Sequence, residues 1–309
     1  MARRRKSKLQ QRIEYGAYWL IARALRSASD QAVVRWGARL GNLARRVIRG
    51  RDRLAMRNLA LVFPEKSEAE RRRILDDCWR HFGREALDSI RMQHLSPEEI
   101  AARCPIVRPE VLDAALARGR GVLLMSGHYG GWEVGGLAVM SRIRHVLTVA
   151  RPLDNEYLER DLARIRERTG TEVVDRRRAA RSLYKALSNN EAVILLVDQA
   201  VQPREGVIAP FLGVPAWTTD APARMALRLG STIVIGFCIP DGLRHRLEFE
   251  EPIYVEDLSD GEKEPVALTG RINEVISRRI AAHPELWLWM HDRWKGTKPG
   301  EGKTSNDQQ

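Results

Sequence analysis

The sequence predicts an α/β fold with a mainly parallel central sheet flanked by helices. From about residue 104 onward, short and nearly continuous apolar runs alternate with stretches of helical periodicity. Runs of this length suit strands buried on both faces, and helices between them imply crossovers that keep the strands parallel. Neither an internal repeat nor a linker rich in Gly, Ser or Pro is present. One domain with an N-terminal helical attachment is therefore expected.

The first predicted elements of the body are two helices with recognisable starts. Ser67 and Glu70 form a capping-box pattern that opens a long helix through about Met92. Ser96 opens another helix by the same rule, with Pro97 at the first helical position.

The strands and the closing helix follow these two helices. The predicted buried strands are 121–125, 145–150, 171–174, 192–197 and 232–238. Residues 244–249 are predicted to add an antiparallel edge strand, and 264–282 a closing helix. The stretch 199–217 is predicted to be a long irregular loop, which in compact domains usually has a function.

Positive charge is concentrated at the N-terminus. Residues 1–57 hold 16 Lys/Arg and three acids, a net charge of +13, so the remainder carries −1 of the total of +12. Basic patches attract nucleic acid or anionic lipid. In this segment two amphipathic helices are predicted, around 13–25 and 33–48. Each has arginines on one face and aromatic or aliphatic side chains on the other, a pattern that favours anionic lipid over nucleic acid as the partner. Packing of these apolar stripes on the domain is the alternative, and both can hold on different helix faces.

A membrane-spanning segment is not predicted. The longest uncharged apolar-leaning run is Tyr15–Ala22, where a span needs about 20 residues. Glu14, Arg23 and Arg26 interrupt any signal-peptide core. Three scattered cysteines argue against a disulfide framework and a zinc ribbon, and fit a reducing compartment. The expectation is a protein on the cytoplasmic side of a membrane that it does not cross.

Polar residues follow three of the predicted strands, where active sites of open α/β sheets collect. The strongest pattern is Ser126-Gly-His-Tyr-Gly-Gly-Trp-Glu133, which places His128 in a glycine-rich turn five residues before Glu133. Histidine is the usual general base, and a carboxylate on its other nitrogen fixes the tautomer. The following helix offers N–H groups to an oxyanion. A hydrogen-bonded core histidine is the structural alternative.

Three other kinds of site that use these residue types are not supported, because the motif of each is missing. A serine hydrolase needs G-x-S-x-G, and Leu124 stands where its first glycine belongs. The dinucleotide fingerprint G-x-G-x-x-G is not found in this turn, and the zinc motif H-E-x-x-H is not found in the chain.

The segment SGHYGGWE, with ARPLDN and VDQ downstream, resembles the H-x4-D/E family of lysophospholipid acyltransferases. Within that family the chain is most similar to the late acyltransferases of lipid A biosynthesis, although its N-terminal apolar segment is short and broken by charge. The likeness covers most of the chain. Further matching blocks are Asn58-Leu59, Phe63-Pro64, Gly206, Pro210–Gly213, Thr218, Pro222–Arg224 and Pro284–His291.

The resemblance implies an O-acyltransferase in which His128 is the base and Glu133 its partner. Arg151 and Asp198 match other active-site polar residues, and Gly127, Asn155 and Gln199 are expected to contact substrate. The expected boundaries are a basic membrane-associating segment at 1–57, an acyltransferase domain at 58–296 and a disordered tail at 297–309. Trp287, Trp289 and Trp294 are predicted to pack in the core or at an interface.

The same resemblance implies the substrates and the location. The donor would be an acyl thioester on acyl carrier protein or coenzyme A, with no resident cofactor and no metal. The acceptor would be a membrane-lipid hydroxyl, first of all that of a lipid A precursor, with a lysophospholipid or glycolipid as alternatives. An anionic membrane surface is an expected partner, and nucleic acid is not. The protein is expected on the cytoplasmic face of the inner membrane, as a peripheral or monotopic protein. A non-catalytic membrane- or nucleic-acid-binding protein on this scaffold is a further alternative.

Overall fold

The structure, a computed structural model, describes residues 7–297 except 144, 151 and 176–178, and leaves out the side chains of 166–169. The α-helices are α1 (Lys8–Ser27), α2 (Asp30–Val47), α3 (Arg49–Val62), α4 (Glu68–Met92), α5 (Pro97–Arg103), α6 (Glu110–Ala117), α7 (Trp132–Arg142), α8 (Glu156–Thr169), α9 (Ala179–Ser188), α10 (Ala221–Leu229) and α11 (Pro265–Ala282). The strands are β1 (Ile106–Val107), β2 (Val122–Ser126), β3 (Val146–Ala150), β4 (Thr171–Asp175), β5 (Ala192–Leu196), β6 (Val207–Phe211), β7 (Val214–Thr218), β8 (Thr232–Asp241) and β9 (Arg244–Phe249). Short 3₁₀ turns lie at Pro203–Glu205, Val255–Asp257 and Pro284–Leu286.

Seven strands form the central sheet, in the order β1-β9-β8-β2-β5-β3-β4. All neighbouring pairs are parallel except β8 and β9. The predicted α/β class with a mainly parallel sheet is therefore confirmed, and β9 is antiparallel to β8 as expected. The edge position predicted for β9 is wrong, because the two-residue strand β1 pairs along its outer side.

The two faces of the sheet bury two separate hydrophobic clusters. Along β2, Leu123 and Met125 face the cluster that includes α4, α9, α10 and α11, and Val122 and Leu124 face the cluster formed with α5, α6 and α7. The alternation follows from the two-residue period of a strand. Because both faces are buried, the strand is apolar at successive positions, which is the pattern that identified it in the sequence.

Both predicted capping boxes are present. The hydroxyl of Ser67 accepts from the backbone N–H of Glu70, whose carboxylate accepts from the backbone N–H of Ser67. Ser96 and Glu99 make the same pair at α5. Each box satisfies two N–H groups that a helix start leaves without partners.

The irregular loop predicted at 199–217 is wrong in part, since β6 and β7 form an antiparallel hairpin inside it. Leu212 and Gly213 connect the strands with positive φ values of 50° and 76°, the requirement of a type I′ turn. Pro210 and Pro215 pair across the hairpin. Their lack of an N–H argues against strands in the sequence, but a separate two-stranded ribbon leaves free edges that tolerate it.

The N-terminal helices pack on the body mainly through α4, and α1 also contacts α8. A side chain at Gly83 of α4 would lie 2.1 Å from the carbonyl oxygen of Gly37 and 2.5 Å from the nitrogen of Gly41, both on α2. The two helix backbones can touch there only because the three residues are glycines. None of the helices in the described ranges combines the length and the apolar character that crossing a bilayer requires. The predicted tail at 297–309 lies, except for Thr297, outside the described residues.

Candidate active site

The candidate site lies where β3 and β5 separate. These strands pair over three positions, ending at Thr148 and Ile194, whereas each continues to pair with its other neighbour beyond that point. The hydroxyl of Thr148 donates to the carbonyl oxygen of Ile194 at 3.2 Å, satisfying a backbone acceptor at the point of separation. The opening lies at the carboxyl ends of the strands, where ligand sites of open α/β sheets occur.

A cavity of about 770 Å³ occupies this opening and reaches both faces of the sheet. Its lining is mainly apolar and includes Leu137 and Met140 of α7, Leu183 of α9 and Met225 of α10. The few polar groups in the lining include His128, Glu133, Gln199 and Arg224. The volume lies within the range of small-molecule sites, and an apolar lining with few polar groups suits a hydrocarbon chain.

His128 lies two residues beyond the end of β2, in the turn that precedes α7. Gly127 makes room for the site, because a side chain there would meet the carboxyl group of Asp198 at 3.1 to 3.2 Å. Gly130 has a φ of +58°, and a side chain at that position would lie 1.9 Å from the carbonyl oxygen of Cys238. The glycine-rich turn is thus required by close packing on both sides of His128.

The imidazole of His128 is bound to Asp198 and not to Glu133. The Nδ1 atom of His128 lies 2.8 Å from Oδ1 of Asp198, and the backbone N–H of His128 donates to Oδ2 at 2.8 Å. Asp198 lies two residues beyond the end of β5, which neighbours β2 in the sheet. The predicted contact between His128 and Glu133 is therefore wrong.

The carboxylate of Asp198 is fully buried and has three donors. Besides the two from His128, the indole Nε1–H of Trp287 donates to Oδ2 at 2.7 Å. Burial by itself would raise the pKa of Asp198, but the hydrogen bonds from His128 and Trp287 outweigh it and hold this pKa below its ordinary value. An ionised carboxylate accepts the Nδ1–H of a neutral imidazole, which leaves Nε2 as the basic nitrogen.

Gln199 lies against this basic nitrogen. Its side-chain Nε2 is 3.3 Å from Nε2 of His128. The backbone after Gln199 is fixed by His291, whose Nε2 accepts from the N–H of Ala200 at 3.1 Å. Burial lowers the pKa of His291, so its neutral form, which alone can accept, is favoured. Gln199 therefore lies in the candidate site and lines its cavity. Its contact with substrate stays a prediction.

Glu133 lies in the first turn of α7 and lines the same cavity. Its Oε2 accepts from the hydroxyl of Ser89 on α4 at 2.7 Å. Glu133 therefore brings a second carboxylate to the cavity without contacting the imidazole. A catalytic role for it stays a prediction.

Asn155 has a structural role at the start of α8. Its Oδ1 accepts from the backbone N–H groups of Tyr157 and Leu158, and its Nδ2 donates to the carbonyl of Gln11 and to Glu14 on α1. Nearly fully buried, Asn155 is not among the cavity-lining residues that the structure describes. The structure shows Asn155 as a helix cap and an anchor for α1, and its contact with substrate stays a prediction. Arg151 lies outside the described residues.

Aromatic residues complete the surroundings of the imidazole. The ring of Trp132 lies 5.2 Å from that of His128 and 5.7 Å from that of Phe82. Sequence reasoning missed the roles of Ser89 and Trp287. For Ser89 no local pattern existed, whereas the block 284–291 could have pointed to Trp287 as more than core packing.

A histidine–aspartate pair whose Nε2 lies beside Gln199 and a large, mainly apolar cavity can deprotonate a hydroxyl next to a bound hydrocarbon chain. The first N–H groups of α7, which begins four residues after His128, have no partners within the helix and are candidate donors to an oxyanion. Fold and site together define an α/β enzyme of lipid acyl transfer.

Comparison with known proteins agrees with this class. The model of the family "Bacterial lipid A biosynthesis acyltransferase" matches residues 3–296. The chain therefore belongs to this family and is an acyltransferase, as the resemblance implied, and the non-catalytic alternative is not supported.

Three relatives illustrate the range within the family. The lipid A biosynthesis lauroyltransferase of Escherichia coli K12 is 27% identical over 92% of this chain and 90% of its own length. The palmitoleoyltransferase of the same organism is 26% identical over 86% and 85%. The phosphatidylinositol mannoside acyltransferase of Mycobacterium tuberculosis H37Rv is 27% identical over 91% and 87%.

Proposed function

We propose that this acyltransferase moves a fatty acyl chain from a thioester, on acyl carrier protein or coenzyme A, to a hydroxyl of a lipid A precursor. The observation that carries the proposal is the position of His128, whose Nε2 adjoins the 770 Å³ apolar cavity while Nδ1 is held by Asp198. The names of the E. coli relatives support the acceptor.

In the proposed reaction, His128 Nε2 removes the proton of the acceptor hydroxyl as its oxygen attacks the thioester carbonyl carbon. The carbonyl oxygen becomes an oxyanion near the N-terminus of α7. The C–S bond then breaks, and the thiolate takes the proton from the imidazolium to leave as a thiol. The step needs no acyl-enzyme, no metal and no resident cofactor.

The acceptor has a second candidate, a hydroxyl of a glycolipid or lysophospholipid outside lipid A synthesis. The mycobacterial relative, named for phosphatidylinositol mannoside, has the same 27% identity to this chain as the lauroyltransferase, over a similar share of the chain. Its match favours a glycolipid over a lysophospholipid.

Purified protein incubated with lauroyl thioesters of carrier protein and of coenzyme A should acylate one acceptor class in preference to the others. The panel contains a lipid A precursor, a mannosylated phosphatidylinositol and a lysophospholipid, with products read by mass spectrometry. Acylation of the lipid A precursor supports the first proposal. Preferred acylation of either other lipid replaces it, and the same assay identifies the donor.

Membrane attachment is proposed to use outward-facing apolar residues of α1 and α2. Tyr15 and Tyr18 of α1 face the domain, since their hydroxyls donate to Asp161 and Gln93. An opposite stripe of α1, made by Leu9, Ile13 and Leu20, is exposed. The helix thus has two apolar faces, and one of them has no protein to cover it among the described residues.

The second helix has a similar exposed stripe. Leu40, Leu43 and Val47 of α2 lie on its surface, one helical turn apart. Further exposed members of both helices are aromatic or basic: Trp19, Trp36, Arg23, Arg35, Arg39 and Arg46. Apolar groups that enter the headgroup layer, beside cations that contact anionic lipid, are the pattern of peripheral attachment. We place the protein on the cytoplasmic face of the inner membrane, peripheral or monotopic.

The double variant Ile13→Glu/Leu20→Glu should bind anionic vesicles at least tenfold more weakly than the parent protein. Each of these side chains contributes roughly 1.5–3 kcal/mol when it is removed from water. Co-sedimentation with vesicles of anionic and neutral lipid measures the effect. Val266→Glu, at a half-exposed apolar position of α11, is the matched control. Binding of the double variant at the parental level would place the attachment surface elsewhere.

A further inference from the structure

The indole of Trp287 is held rigidly beside the histidine–aspartate pair. It is 1% exposed and packs against Trp289 in a T-shaped arrangement, with ring centres 4.7 Å apart. Phe211 and Trp294 lie at 5.5 and 6.0 Å from it. Because neighbouring rings surround it, the direction of its N–H is fixed by packing.

The backbone of the same segment is joined to the catalytic turn. The N–H of Leu288 donates to the carbonyl oxygen of His128 at 3.1 Å, and the N–H of Gly130 donates to the carbonyl oxygen of Leu286 at 2.8 Å. Tyr129 and Trp287 face each other in this bridge. The position of Trp287 relative to His128 is therefore set by hydrogen bonds as well as by ring packing.

The two oxygens of the Asp198 carboxylate have different tasks. Oδ1 receives the Nδ1–H of His128, while Oδ2 receives the backbone N–H of His128 and the indole N–H of Trp287. With Oδ2 held on two sides, the carboxylate plane cannot rotate, so Oδ1 remains directed at the imidazole. Hydrogen bonds to a buried charged group are among the stronger ones in proteins.

We propose that Trp287 is a positioning residue of the transfer reaction, which acts through its indole N–H by fixing the carboxylate that orients His128. The inference rests on the proposed function and adds a residue that the sequence assigned to packing. It predicts that the N–H, and not only the bulk of the side chain, is needed for turnover.

Neighbouring tryptophans provide matched controls. The N–H of Trp289 donates to the carbonyl of Pro284 at 2.7 Å, away from the pair. The Nε1 of Trp294 has no hydrogen-bond partner among the described residues. Tryptophan-to-phenylalanine changes at 287, 289 and 294 therefore remove similar volumes from one cluster, while only the first removes a donor from Asp198.

Trp287→Phe should lower kcat about tenfold with little change in KM, the loss expected for one hydrogen bond to a charged group. The acidic limb of its pH–rate profile should move upward by on the order of half a unit. The reason is that an Oδ2 with one donor fewer carries more negative charge, and the carboxylate then holds the imidazolium proton more tightly. Trp289→Phe and Trp294→Phe should keep the parental pH profile.

Replacement of Trp287 by benzothienylalanine, which keeps the shape of the indole and lacks the N–H, separates the donor from the packing. Full-length protein is used in the acyl-transfer assay, and the Nδ1–H proton signal of His128 is followed by NMR. A loss of kcat and a displaced signal in this variant support the inference. Parental values in both readouts overturn it, whether or not Trp287→Phe folds.

The His128→Ala variant separates a failure of the proposed mechanism from a failure of the proposed role of Trp287. If it retains transfer, the proposed mechanism fails. If it is inactive while benzothienylalanine at 287 leaves kcat, the pH profile and the proton signal unchanged, only the role of Trp287 is overturned.

Discussion

The His128→Ala protein should fold normally and transfer acyl chains at least a hundredfold more slowly than the parent. General-base catalysis contributes about 10²- to 10⁴-fold. No other imidazole among the described residues is hydrogen-bonded to Asp198 through one nitrogen while its second nitrogen adjoins the cavity. The side chain of His128 is about one-fifth exposed, so its loss leaves space that solvent can fill. Initial rates of acyl transfer and the melting temperature measure the two quantities.

His145→Ala is the matched control for this change. His145 precedes β3, at the opposite end of the strands from the cavity, and pairs with Glu191 at 3.1 Å. Its removal should leave turnover at the parental rate. Near-normal transfer by folded His128→Ala protein would contradict the assignment of the base.

The second large effect is expected for Asp198→Asn, which should lower turnover by about 10³- to 10⁴-fold, as when a triad aspartate becomes asparagine. At Oδ2 two donors meet, the backbone N–H of His128 and the indole N–H of Trp287. The amide oxygen must therefore occupy that position, which turns the amide N–H₂ toward Nδ1 of His128. Nδ1 then has to accept, the proton moves to Nε2, and the imidazole can no longer act as the base.

The measurement is the rate of acyl transfer together with the ring-nitrogen chemical shifts of His128, which report the tautomer. Glu133→Gln serves as the comparison, because glutamine can still accept from Ser89 while the charge is lost. Near-parental turnover of Asp198→Asn combined with an inactive Glu133→Gln would return the partner role to Glu133. A reversed tautomer with lost turnover in Asp198→Asn supports the pair seen in the structure.

Much of the fold was predictable because its signals are local. Strands buried on both faces must be apolar at successive positions, so their sequences identify them without tertiary information. The starts of α4 and α5 were predictable from Ser67 and Ser96, since a capping box is complete within four residues. The β6–β7 hairpin was missed because Pro210 and Pro215 argue against strands, and only the separate position of this ribbon makes them acceptable.

The site was predictable as a set of residues and not as a set of contacts. His128 was identified by its position after a buried strand, and Asp198 and Gln199 by the same rule. Which carboxylate meets the imidazole depends on the neighbours of β2 in the sheet. Because β5 lies beside β2, Asp198 reaches Nδ1, while the first turn of α7 directs Glu133 toward Ser89.

The residues that we propose to face the membrane show the same division between local pattern and tertiary packing. Sequence periodicity correctly predicted amphipathic helices, but α1 is apolar on two sides. Tyr18 and Leu20 are two residues apart and therefore point in nearly opposite directions on a helix. Packing against α4 and α8 decides that the tyrosine side is buried and the leucine side is exposed.

By itself the sequence determined the fold class, the family resemblance and the residue types of the candidate site, because short segments of the chain carry the pattern for each of them. The tertiary structure decided that Asp198 is the hydrogen-bond partner of His128, that Trp287 is bonded to this carboxylate, and that Asn155 anchors α1. These contacts join residues that lie between 70 and 144 positions apart in the chain. Their formation depends on the order of strands in the sheet and on the packing of helices upon it, which no local pattern specifies.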